Sequence, residues 1–82
     1  MKRVFRVYDQ NGTTLLEDDI RFEFEKFNDI EVEDIMEKLH CYIHPENYNK
    51  LIELREVDFG NRVELSVGFN KFVLRPTGEK KY

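Results

Sequence analysis

The stretch HCYIHPEN, His40 to Asn47, holds both histidines and the only cysteine of this 82-residue chain, and it runs into Pro45. Imidazole and thiol this close together suit a metal shell, or a nucleophile with its base. On a helical wheel Glu33, Glu37, His40 and His44 share one stripe, at the i, i+3 and i+4 spacings that carboxylate and imidazole ligands use. Two features weigh against both chemistries. The stripe faces away from the apolar side of the same helix and draws on one element, whereas strong helical metal sites take ligands from two or more. Cys41, with His44 one turn on, sits at the C-terminal end of that helix, where the field disfavours an anion. The histidines are therefore expected to act as cations near the last helix carbonyls, with no metal and no cofactor.

Other chemical motifs are weaker. In DQNGTTLLED, Asp9, Asn11 and Gly12 fall at the third, fifth and sixth positions of a calcium loop, but the first would be Val7, which offers no oxygen. Phosphate-binding glycine loops, CxxC and HExxH are absent, and the lone serine, Ser66, has no neighbouring base in sequence. No catalytic residue is assigned, and the chain reads as a non-enzyme.

Charge is more informative. The net charge is −4, yet Glu17 to Glu37 holds ten acids and two bases, while the remainder holds 11 bases and seven acids. Glu23 and Glu25 recur every two residues, and a rigid negative surface attracts basic partners quickly. The expected function is a non-enzymatic interaction module or inhibitor that presents Glu23 and Glu25, with Asp18, Asp19, Asp34 and Glu37 as a second tier, to a basic protein partner, nucleic-acid-binding proteins being one such class. The plain alternative is that these acids solvate the outer sheet face and favour the helix N-terminus. Sequence leaves open whether they form one patch or two.

The competing reading is a small nucleic-acid binder. KRVFRVY and FNKFVLR interleave aromatics with Lys2, Arg6, Lys71 and Arg75, as single-strand platforms do. The net negative charge opposes phosphate contact, so direct nucleic-acid binding is disfavoured. A metal-binding or enzymatic role at the end of the helix ranks third.

These residues need positions, which the hydrophobic pattern supplies. Asn11-Gly12 predicts a two-residue type I′ hairpin that sets Val7 opposite Leu16 and Arg6 opposite Glu17. DIRFEFEKF alternates strictly, with Ile20, Phe22 and Phe24 on one face and Arg21, Glu23 and Glu25 on the other. Asn28 as N-cap, Glu31 as capping acid and a Phe27 to Val32 staple predict a helix over about 29–43. Its apolar stripe is Val32, Ile35, Met36, Leu39, Tyr42 and Ile43, and Asp34 pairs with Lys38 on the polar side. Pro45 ends it and can open a second helical turn over 45–53. A hairpin about Gly60-Asn61 needs an odd loop if Val57 and Phe59 are to share a face with Val63, Leu65 and Val67. GFNKFVLRP either continues that strand or folds back.

The predicted fold is α+β: an antiparallel sheet of four or five strands with the one main helix packed on one face. Residues 1–76 form the single domain and 77–82 a flexible tail. No apolar run reaches the roughly 18 residues of a membrane span, and the first residues lack a signal-peptide core. Together with the lone thiol, this predicts a cytoplasmic protein. An edge strand offers a route to homo-oligomers.

Overall fold

The computed structural model describes all 82 residues, and its sheet is five-stranded and antiparallel throughout. The strands are β1 (Lys2–Tyr8), β2 (Arg21–Phe24), β3 (Ile52–Val57), β4 (Arg62–Val67) and β5 (Asn70–Lys81), in the order β2-β1-β5-β4-β3. The helix α1 (Val32–Leu39) lies in the connection between β2 and β3, the two edge strands. A chain leaving one edge and re-entering at the other must cross the sheet, and this crossing covers one face. No helix is long and apolar enough to cross a membrane.

Alternation builds the covered face. Phe22 and Phe24 of β2, Phe5 and Val7 of β1, Phe72 and Leu74 of β5, and Val63, Leu65 and Val67 of β4 are all buried there. Ile35, Leu39 and Ile43 from the helical segment close the core over them, with Met36 and Tyr42 packed at its margin. Val32, expected in the same stripe, is 56% exposed. The Phe5 and Phe24 rings stack at 4.2 Å between centroids.

The helix begins later than its capping signals suggest. Phe27–Asp29 forms a separate 3-10 turn in which the Asp29 carboxylate accepts from the Lys26 N–H at 3.3 Å. That contact uses the acid one turn early, so Ile30 is extended and Glu31, not Asn28, precedes the first helical residue. At the other end the helix tightens into a 3-10 turn, His40–Tyr42, after which Ile43 and His44 are extended, His44 because Pro45 disfavours helical geometry in the residue before it. The second helical element shrinks to the single 3-10 turn Pro45–Asn47, and Ile52 already belongs to β3.

Both hairpins differ from expectation. The first keeps its register at the tip, with Tyr8 opposite Leu15, but Asn11 is not in the positive-φ region that a type I′ turn requires. Gly12 alone is (φ +73), the turn is closed by its N–H donating to Asp9 O, and the Asp9 carboxylate accepts from the N–H groups of Asn11 and Thr13. The Thr13 N–H is the main reason that the Asp9 carboxyl is held below its ordinary value of 3.8. Glu17 to Ile20 then loop out before β2 pairs with β1, so Arg6 meets Asp18 at 3.5 Å instead of Glu17. The Tyr42 phenol is raised above its ordinary pKa of 10.0, first by burial and then by the neighbouring Glu17 carboxylate.

The second hairpin has an even loop. Val57 lies opposite Arg62 across the four residues Asp58 to Asn61, so Ile52 and Leu54 face the core opposite Val67 and Leu65. Val57 falls on the outer face, and Phe59 is 97% exposed in the left-handed region (φ 55), behind Asp58 in the same conformation. Arg3 braces this loop from β1, donating to Gly60 O at 3.1 Å and Asn61 Oδ1 at 3.0 Å.

GFNKFVLRP folds back through the two-residue turn Gly68-Phe69. Gly68 (φ +60) is required there, because a Cβ would stand 2.2 Å from Asn47 Oδ1. Asn47 is 1% exposed, and its Nδ2 donates to Asn70 Oδ1, which also accepts from the His44 N–H. The expected tail is structured instead: β5 runs on to Lys81 and pairs with β1 as far as Lys2, after a bulge at Thr77 to Glu79.

Candidate functional site

The free edge of β2 and the outer side of α1 form the walls of an acidic cleft of about 330 Å³. Three stretches line it: Phe22 to Phe24 on β2, Asp29 to Glu31 in the turn, and Glu33, Asp34 and Glu37 on α1. Six of these side chains are carboxylates, Glu23, Asp29, Glu31, Glu33, Asp34 and Glu37, and Lys2 is the one base at the rim. Local rules put them there. Glu23 is the outward residue between inward Phe22 and Phe24, and Glu33, Asp34 and Glu37 are set apart from the buried pair Ile35 and Leu39. The 3-10 turn at Phe27 to Asp29 returns the chain alongside the strand it has just left.

Of the six, only Asp34 has a cation within 4 Å, its helix neighbour Lys38 at 3.4 Å. Glu23, Glu31, Glu33 and Glu37 therefore sum their fields over the cleft with no internal counterion, while Asp29 is partly engaged by the Lys26 N–H. The Lys38 ammonium also donates to the Arg21 carbonyl on the open edge of β2 and lies 4.8 Å from the centre of the Phe22 ring. Carboxylate, edge carbonyl and aromatic face are thus already arranged around one ammonium at the cleft wall.

The acids singled out from sequence divide. Glu23, Asp34 and Glu37 meet in the cleft. Glu25 lies beyond it, 3.5 Å from the Met1 amino group, Asp18 pairs with Arg6, and Asp19 stands outside the cleft lining. Asp29, Glu31 and Glu33 belong to the acidic block of the sequence but not to the binding residues assigned from it, since they also read as parts of a helix start and a histidine stripe. Their clustering within a few residues of Glu23 was the available signal.

The stripe Glu33, Glu37, His40 and His44 breaks because His44 leaves the helix. Its Nδ1 accepts from the Glu46 N–H at 3.3 Å, and its own N–H is bound to Asn70. His40 does reach a helix carbonyl, with Nδ1 3.3 Å from Glu37 O. The thiol of exposed Cys41 lies 3.4 Å from His40 Nε2, a neighbour in sequence, and not beside His44. No three His, Cys, Asp or Glu side chains converge in a metal-holding geometry.

Lys2, Arg6, Lys71 and Arg75 all belong to the outer face of the sheet, with Arg6 directly opposite Arg75 and Lys2 also reaching the rim of the acidic cleft. Of the exposed aromatics, Phe59 and Phe69 sit in loops at either end of β4, while Tyr82 shares a pocket with Lys2.

No protein-family model, curated protein or solved structure matches this chain.

Proposed function

We propose that this protein is a non-enzymatic interaction module whose acidic cleft receives a Lys- or Arg-rich segment of a protein partner. The supporting observation is the gathering of six carboxylates from three stretches into one cleft, four of them with neither a cation within 4 Å nor a backbone donor. Such crowding opposes folding through self-repulsion and serves association instead. Ile30, half-buried at the cleft wall, offers apolar contact to the methylene stems of incoming lysines or arginines. A sheet edge and a helix hold the charges more rigidly than loops would, which favours a fast, salt-sensitive encounter. A partner that itself binds nucleic acid presents the matching basic surface, and occupation of that surface would make the module an inhibitor.

The test is capture from the lysate of the native cell by immobilised protein, compared with the variant Glu23→Lys, Glu33→Lys, Glu37→Lys. The wild type is expected to retain a basic protein that elutes with salt. The variant, with an unchanged circular dichroism spectrum, loses it. Equal retention by both would refute the proposal.

A further inference from the structure

The outer face of the sheet carries the opposite charge. Arg6 on β1 is the direct cross-strand partner of Arg21 on β2 and of Arg75 on β5, which puts three guanidinium groups in line across three adjacent strands. Lys2 and Lys71 occupy the same face of β1 and β5, and Arg62 and Arg55 continue it on β4 and β3. Like charges directly opposite one another oppose strand pairing. The fold offsets only part of this: Asp18 lies 3.5 Å from Arg6, Glu79 3.5 Å from Arg21, and Glu64 3.2 Å from Arg62 and 3.7 Å from Arg55. Lys2, Lys71 and Arg75 have no carboxylate within 4 Å. The Arg6 Nε is buried without a hydrogen-bond partner.

What this face lacks identifies the partner. Its two central valines, Val4 and Val73, are buried, and the Gly12 turn stands over Val73. Met1 and Tyr82 flank Lys2 at one corner of the sheet, but none of the chain's large exposed apolar side chains stands on a strand among Arg6, Arg21 and Arg75. A protein interface is built round an apolar or aromatic centre, whereas a nucleic-acid interface is polar and strongly positive. Single strands need open aromatic platforms, but Tyr8 on this face is capped by the Arg75 guanidinium at 5.6 Å. A duplex needs no platform, because it turns its bases inward and its phosphates out.

We propose that the outer face binds the phosphate backbone of a nucleic-acid duplex without reading its bases, through Arg6, Arg21, Lys71 and Arg75. The net charge of −4 does not prevent this, since the fold places most of the cleft acids on the helix side of the sheet. Glu23, two residues from Arg21 on β2, marks the boundary between the two surfaces.

Fluorescence anisotropy over a salt series tests the proposal, with a labelled mixed-sequence DNA duplex and, separately, one of its labelled strands. The wild type is expected to bind the duplex more tightly than the strand, with log affinity falling by about 0.9 per phosphate contact for each unit of log salt. Lys71→Ala with Arg75→Ala removes two exposed cations that have no ion pair, and each should lower that slope by about 1. Absence of duplex binding at low salt, tighter binding of the single strand, or an unchanged slope in a folded double variant would each overturn the proposal.

Discussion

Lys38 Nζ lies 3.4 Å from Asp34 Oδ2 on its own helix, and the same ammonium donates to the Arg21 carbonyl on the edge strand. One side chain therefore ties the two walls of the acidic cleft together, over the Phe22 ring. Lys38→Met keeps the apolar stem and removes the charge. It is expected to lower stability by about 1 to 2 kcal/mol, from a lost charged hydrogen bond and cation–π contact. A urea unfolding midpoint equal to that of the wild type would show that the tie contributes nothing.

Asn47 joins the segment after the helix to the β4–β5 turn. It is 1% exposed, its Nδ2 donates to Asn70 Oδ1 at 2.7 Å, and its Oδ1 packs against Gly68. Asn70→Ala strands that buried donor, at an expected cost of about 1 to 3 kcal/mol, whereas Asn70→Asp keeps an acceptor and loses less. Gly68→Ala is expected to cost about 2 to 4 kcal/mol, since it combines overpacking with a left-handed conformation that disfavours a Cβ. Denaturant titrations that ranked Asn70→Asp below Asn70→Ala would contradict this account of the contact.

Asp9 makes the first turn sensitive to acid. Its folded pKa lies below 3.8, chiefly because the Thr13 N–H bonds the ionised form. A depressed carboxylate contributes stability that is full above its unfolded pKa and is lost as pH falls through the lower, folded one. Carbon-detected NMR titration should therefore place the Asp9 midpoint below 3.8 and find the Thr13 amide shifting with it. A midpoint at or above that value would contradict the turn geometry. Asp9→Asn should flatten the acid limb of the stability profile.

The alternating strands were legible because burial enforces period two: Ile20, Phe22 and Phe24, then Val63, Leu65 and Val67, face the core as read. The helix stripe was legible at Ile35, Leu39 and Ile43 for the same reason. The second hairpin failed on parity. Its strand can be read from Ile52 and Leu54 or from Val57 and Phe59, and the choice turns on a loop that accepts left-handed Asp58 and Phe59, which composition does not announce. The charged end of the chain reads as solvated, yet β1 needs a partner on its second side and takes Lys80 and Lys81.

The candidate site was half legible. That the chain concentrates acid between Glu17 and Glu37 is plain in sequence. That Glu23 meets Glu33, Asp34 and Glu37 is not, because the meeting depends on how the 3-10 turn at Phe27 to Asp29 aims α1 along the edge of β2. Sequence leaves the meeting open, because strand alternation turns Glu23 away from the face that the helix covers. The separation is lifted at the edge strand, where no further strand stands between Glu23 and the acids of α1 and all of them line one cleft.

The most direct measurement follows backbone amide shifts of the labelled protein as a short Lys- and Arg-rich peptide is added at low salt. The expected result is a contiguous set of perturbed amides around Glu23, Glu31, Glu33 and Glu37, suppressed by salt and absent in the triple lysine variant. Perturbations that spread evenly to other exposed acids, such as Glu53, Glu56 and Asp58, would contradict a binding cleft between β2 and α1.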